Sequence, residues 1–190
     1  MGVMGWFWTG VLVLALLYAV GCYNRLVSLK HGVDKAWANI DILLKQRHDE
    51  LPKLVEVCKQ YTQFEQATLQ QVIAARGQVQ TARQNEDVTA LGRAEGQLRS
   101  GLGQIFAVAE AYPELRSNQN FMQLQTRISQ LENAIADRRE FYNEAVNIHN
   151  VRVEQFPDRL IAGWFRFKLR PLLVFAATET SDVDMKTLFS

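Results

Sequence analysis

Val3-Met4-Gly5-Trp6-Phe7-Trp8-Thr9-Gly10-Val11-Leu12-Val13-Leu14-Ala15-Leu16-Leu17-Tyr18-Ala19-Val20-Gly21-Cys22 is the stretch on which the fold turns. A helix that crosses a hydrocarbon core of about 30 Å needs roughly 20 mostly apolar residues, and this run supplies them. No Asp, Glu, Lys, Arg or His occurs from Met1 to Asn24, so the run lacks the polar face that a helix of a soluble bundle presents to water. Trp6 and Trp8 near one end, with Tyr18 and Tyr23 near the other, suit the two membrane interfaces, where amphipathic rings are favoured. The stretch therefore predicts a membrane anchor over residues 1–24.

Its flanks bear on processing and orientation. A cleaved secretory leader normally begins with a positive segment, and here only the terminal amine is available, which favours an uncleaved anchor. Ala19-Val20-Gly21-Cys22 also resembles a lipoprotein cleavage box with Cys22 as the acylated residue, and that alternative stays open. Arg25, Lys30 and Lys35 follow the span while nothing basic precedes it, so the positive-inside bias places the large domain in the cytoplasm; the lipoprotein reading would reverse this. The second cysteine, Cys58, is too far along the chain to pair readily with Cys22, so the domain is expected to be built without a disulfide.

Outward from the anchor, the 190 residues carry 21 basic and 20 acidic side chains. That balance argues against a nucleic-acid binder, which needs a net basic face. Apolar residues recur at steps of three and four: Leu26, Leu29, Val33, Trp37, Ile40, Leu44 and Leu51, a helix that continues from the membrane span. Leu51-Pro52 is a kink or a boundary. A second stripe runs through Leu54, Tyr61, Phe64, Leu69, Val72, Val79 and Ala82 to the polar cluster Gln84-Asn85-Glu86-Asp87. Asp87 is placed to cap a third helix through Leu91, Ala94, Leu98, Leu102, Ile105 and Tyr112, which Pro113 stops. Gly92, Gly96, Gly101 and Gly103 each cost this helix about 1 kcal/mol against alanine, and point to close packing or local mobility. Ser117 or Asn118 caps the longest helix, with Phe121, Leu124, Ile128, Leu131, Ile135, Tyr142, Val146 and Val153 inward, ending at Phe156-Pro157. The expected fold is all-α: an N-terminal transmembrane helix, an up-and-down antiparallel four-helix bundle over residues 25–158, and an extended C-terminal tail over 159–190. An extended coiled coil fits less well, because turn signals interrupt the stripes.

The tail begins differently. Trp164-Phe165-Arg166-Phe167-Lys168-Leu169-Arg170 alternates cationic and apolar residues with the two-residue period of an extended segment. Trp164, Arg166, Phe167, Lys168 and Arg170 join Trp6, Trp8, Tyr23, Arg25 and Lys30 as candidates for the membrane interface; the alternative is that the segment docks on its own bundle. Thr178 to Asp184 is polar and acidic, as expected of a loosely ordered terminus. Arg47 on the first stripe itself and Tyr142 on the last, with Asn39, Asp41, Glu132, Arg139 and Asn143 beside the stripes, are candidates for a polar layer that fixes helix register, provided that they are paired. The other reading leaves them wet at the stripe edges. His48-Asp49-Glu50 lacks metal-ligand spacing, and no nucleophile elbow, phosphate loop or paired-cysteine ligand set occurs, so neither a cofactor nor a metal is expected.

Several of these residues also carry a family resemblance. Tyr23-Asn24, Ala36-Trp37-Ala38-Asn39-Ile40-Asp41, Leu44-Lys45-Gln46-Arg47, Leu51-Pro52, Glu110-Ala111-Tyr112-Pro113-Glu114-Leu115, Asn120-Phe121, Glu132-Asn133-Ala134-Ile135, Arg139, Tyr142-Asn143, Asn150 and Phe156-Pro157 resemble, in order, the pattern of the LemA family. The resemblance implies a single-pass anchor in a bacterial inner membrane, an antiparallel helical bundle and association with membrane proteins, and it supplies no catalytic residue. Arg170-Pro171-Leu172-Leu173-Val174-Phe175 departs from the Pro-Tyr-Phe continuation of relatives. The expected function is a non-enzymatic membrane-anchored scaffold that contacts lipid and assembles with itself or with other membrane proteins. The alternative is a regulatory or sensory adaptor that docks on a membrane protease or transporter. An enzyme would require Arg47, Asp41, Glu132 and Arg139 to converge on a pocket.

Overall fold

A computed structural model describes residues 2–61 and 65–175. Phe64 of the second stripe and the polar segment from Thr178 to Asp184 lie outside the described residues. The described chain is helical, with no strand among the described residues: α1 (Val3–Lys59), α2 (Gln66–Gln84), α3 (Val88–Ala109), the single-turn α4 (Pro113–Arg116), α5 (Gln119–Glu154) and the short α6 (Asp158–Trp164). The chain divides into two compact units, residues 1–38 with 141–171 and residues 39–140 with 172–190, and α1 and α5 each contribute to both.

α1 is one helix of 57 residues. Its first part leaves Leu12, Leu14, Leu16 and Leu17 more than half exposed, and it is long and apolar enough to cross a membrane. From Cys22 a buried face begins, with Leu26, Val33, Ile40, Leu44, Leu51 and Leu54 following at helical steps. Pro52 does not end the helix, which continues to Lys59. A proline at this position deprives the carbonyl four residues back of its partner, and that carbonyl belongs to His48. The Arg76 guanidinium in α2 takes its place: Nε donates to the His48 oxygen over 3.1 Å. Of the two readings of Leu51-Pro52, the boundary is excluded because α1 runs through it, and the stripe from Leu54 to Ala82 divides between the end of α1 and α2.

In the first unit Leu26, Val153 and Ala162 form a small core with Ile161 and Phe167 against it. Trp37 and Tyr142 add a tilted ring pair at 5.5 Å. In the second unit α2 buries Leu69, Val72, Ala75, Val79 and Ala82, and α3 buries Leu91, Ala94, Leu98, Leu102, Ile105 and Ala109. Two glycines of α3 serve close approach. A Cβ at Gly101 would stand 2.8 Å from Val72 Cγ2, and one at Gly92 would collide with the carbonyl oxygen of Val174. Gly103, by contrast, faces open space.

The helix ends follow their local chemistry. The Asp87 carboxylate accepts from the Ala90 amide at 2.9 Å and caps α3. Tyr112, held near φ −117° and ψ 89° before a proline, starts α4 with Pro113 in its first turn. The Asn118 side-chain oxygen accepts from the amides of Asn120 and Phe121, the capping role expected for α5.

Candidate functional site

Two places in the molecule gather polar chemistry, one in each unit. In the second, Arg47 of α1 is 2% exposed and is met by two carboxylates. Its Nη2 lies 2.5 Å from Glu95 Oε1 and its Nη1 lies 3.6 Å from Glu132 Oε1. Glu95 is equally buried, so neither charge could remain there without the other. Burial pushes the Glu132 carboxyl above the usual carboxylate range, while Arg47 and then Arg99 oppose the shift. Arg47 Nε has no hydrogen-bond partner.

The other polar-layer candidates are distributed more widely. Asp41 accepts two hydrogen bonds from Arg83, at 2.6 and 3.1 Å. Arg139 stacks over the Phe175 ring with its guanidinium carbon 4.3 Å from the centroid. Tyr142 belongs to the first unit, where its hydroxyl donates to the Pro171 carbonyl at 3.0 Å, and burial raises its pKa. Asn143 is half-buried and Asn39 is exposed. Glu95 and Arg83, the partners of Arg47 and Asp41, carried a signal that the stripes alone did not use: Glu95 is the single acidic residue of α3, four after Leu91 and three before Leu98, and Arg83 is one of two charged residues of α2. That they stand opposite Arg47 and Asp41 of α1 is a tertiary fact.

The first unit holds a cleft of about 660 Å³ beside the exit of α1 from its apolar stretch. Tyr23, Lys30 and His31 of α1 line one part, His149 of α5 another, and the segment from Phe165 to Pro171 the rest. That segment is non-helical and is held by its backbone. His149 Nε2 donates to the Lys168 carbonyl at 3.2 Å, and because a carbonyl can only accept, this fixes the proton on Nε2 when the ring is neutral. The Asn150 side chain closes a two-way pair with Arg170, donating to its carbonyl at 2.8 Å and accepting from its amide at 2.9 Å. Arg170 also reaches Asp34 at 3.2 Å. Tyr23 packs on Phe165 and Phe167, with ring centroids 4.6 and 6.0 Å apart. Arg166, at φ 58°, adopts the left-handed backbone that turns the chain out of α6.

The segment expected to touch either membrane or bundle thus anchors its backbone on helices of its own unit while Trp164, Arg166 and Lys168 stay exposed. Arg25, Lys30, Trp6 and Trp8 are exposed as well. Cys22 and Cys58 are both free and buried, and burial pushes the Cys58 thiol up to about 12. Among the described residues no cluster of three His, Cys, Asp or Glu side chains suits a metal ion.

An N-terminal helix long and apolar enough to cross a membrane, running into further helices, is consistent with a membrane-anchored helical protein. Residues 36–187 match the model of the LemA family, and the chain belongs to that family. It is 25% identical over 179 residues to protein LemA of Metamycoplasma hominis, covering 93% of this chain and 80% of that one. It is also 34% identical over 79 residues to magnetosome proteins MamQ 1 and MamQ 2 of Paramagnetospirillum magneticum. That match covers 42% of this chain and spans 29% of the MamQ length. Family and apolar helix together are consistent with membrane association.

Proposed function

We propose that the chain is a non-enzymatic scaffold, anchored in a cell membrane by the first part of α1, that assembles with further copies of itself and so organises neighbouring membrane proteins. The observation that carries self-assembly is a run of exposed apolar side chains on one face of α5. Phe141, Ile148 and Val151 follow at steps of seven and three, with Ile148 and Val151 each about half exposed. An apolar stripe outside the lipid-suited stretch favours burial against another protein surface. Anchoring confines copies to a plane and raises their effective concentration, so a modest contact area suffices.

The test is light scattering of the full chain in neutral detergent, paired with the double variant Ile148→Glu, Val151→Glu. A multimer that falls to a smaller species in the variant supports the scaffold. Monomers over a wide concentration range for the unaltered chain remove self-assembly. A stoichiometric foreign membrane protein recovered by cross-linking from position 148 would favour the adaptor reading instead.

A further inference from the structure

We propose that the cleft beside the exit of α1 binds the phosphate of an anionic phospholipid head group in the leaflet from which α1 emerges. The inference rests on the reading of α1 as a membrane anchor and adds a ligand class to it.

Depth is the first argument. At 1.5 Å per residue, Tyr23 to Lys30 covers about 12 Å of helix axis directly after the apolar run. Head groups and interface occupy the outermost 5 to 8 Å or so on each side of a bilayer, and a lysine side chain reaches back several ångströms toward them. The cleft therefore opens at head-group level. α6 agrees with this placement: Asp158, its first residue, lies beside Cys22, while Leu160 and Trp164 are exposed on a common face. An apolar face with an indole suits the interface.

Charge is the second. The first unit carries eight basic and four acidic side chains, a net charge of +4 with histidine neutral, although the whole chain is only +1. Within the cleft Arg170 is matched by Asp34, but Lys30, Arg166 and Lys168 have no carboxylate partner among the described residues. Three cations around one concave surface, beside the rings of Tyr23 and Phe165, form a receptor for an anion with an apolar neighbour.

Rigidity is the third. The backbone bonds made by His149, Asn150 and Tyr142 hold the 168–171 segment in place, so little order has to be gained on binding. A flexible basic flank would attract anionic lipid through its charge alone. A framed cleft selects by position as well. A choline head group carries a cation that the three unpaired cations repel, so a phosphatidylglycerol fits where a phosphatidylcholine does not.

The full chain, purified in neutral detergent, is titrated with phosphatidylglycerol or phosphatidylcholine and read by native mass spectrometry. The expected result is a saturable adduct of one phosphatidylglycerol per chain, none with phosphatidylcholine, and no displacement by millimolar glycerol phosphate. Two charge-matched variants locate it. Lys30→Gln with Lys168→Gln alters the cleft; Arg25→Gln with Arg159→Gln removes two exposed charges of the same unit outside it. The cleft pair should weaken lipid binding about tenfold or more, and the outer pair only slightly, with unchanged helical content in both. Equal weakening by both pairs, absence of a saturable adduct, or displacement by glycerol phosphate would each overturn the proposal, the last by assigning the cleft to a soluble phosphate ester. Vesicle flotation and the oligomer mass keep the readings apart: a chain that still floats and still assembles without binding lipid loses the site and keeps the scaffold.

Discussion

Arg47 shows how much can depend on a single side chain. It faces Glu95 and Glu132 in a buried setting, so Arg47→Met would leave carboxylates desolvated and unpaired, with an expected loss of about 3–5 kcal/mol in denaturant unfolding. Glu132 makes a separate, pH-dependent prediction. Its carboxyl holds its proton more tightly in the folded chain than in the unfolded one, because burial outweighs the nearby guanidinium groups. Between the ordinary carboxylate range and the raised folded value, the native state binds more protons than the unfolded state, so this group's contribution falls as pH rises through that window. Glu132→Gln should flatten that part of the profile, as read by thermal unfolding from pH 4 upward; an unchanged slope would reject the assignment. Cys58 adds a simpler expectation. Buried and shifted up to about 12, its thiol should resist alkylation in the folded chain at neutral pH and react once denaturant is added.

At the scale of elements, α1 and α2 are tied by the carbonyl that Pro52 leaves open. Arg76→Met should cost about 1–3 kcal/mol by stranding the His48 oxygen. With Pro52→Ala in place the helix can bond that oxygen itself, so the same change should then cost much less, a coupling that a double-mutant unfolding cycle would measure. The α3 glycines separate in the same way. Gly92→Ala should displace the segment around Val174, seen as faster hydrogen exchange there, whereas Gly103→Ala has room and should gain up to about 1 kcal/mol. These contrasts also mark what was legible in the chain itself. Periodicity located α3 and α5, and capping chemistry picked out Asp87 and narrowed the α5 cap to Ser117 or Asn118, because those signals are local. Local sequence left a kink and a boundary both open at Pro52, since the donor that compensates the His48 oxygen lies in another helix, 24 positions further on. Arg47 stood out on its stripe and Glu95 is the one acidic residue on the stripe of α3, but which helix faces meet is a tertiary matter that neither stripe states, and the clustered basic and aromatic residues of 164–170 gave no sign that α5 would hold their backbone.

On the scale of the whole molecule, near neutrality conceals two opposite regions, one unit at +4 and the remainder at −3. The basic excess belongs to the unit that contains the apolar part of α1, which is how a chain with almost no net charge can still be drawn to an anionic surface. Removal of residues 2–22 should release the protein from sedimented membranes, and a truncated chain that stayed with them after alkaline washing would argue against α1 as the anchor. The backbone latches of the first unit carry a further consequence, for sequence change. Tyr142, His149 and Asn150 grip main-chain groups at 168, 170 and 171, so the frame does not depend on which side chains those positions carry. Lys168 can be exchanged without dismantling the cleft, and so can the exposed neighbours at 166 and 169. A few substitutions at these positions would therefore change the chemistry that the cleft presents while the main-chain frame behind it is kept.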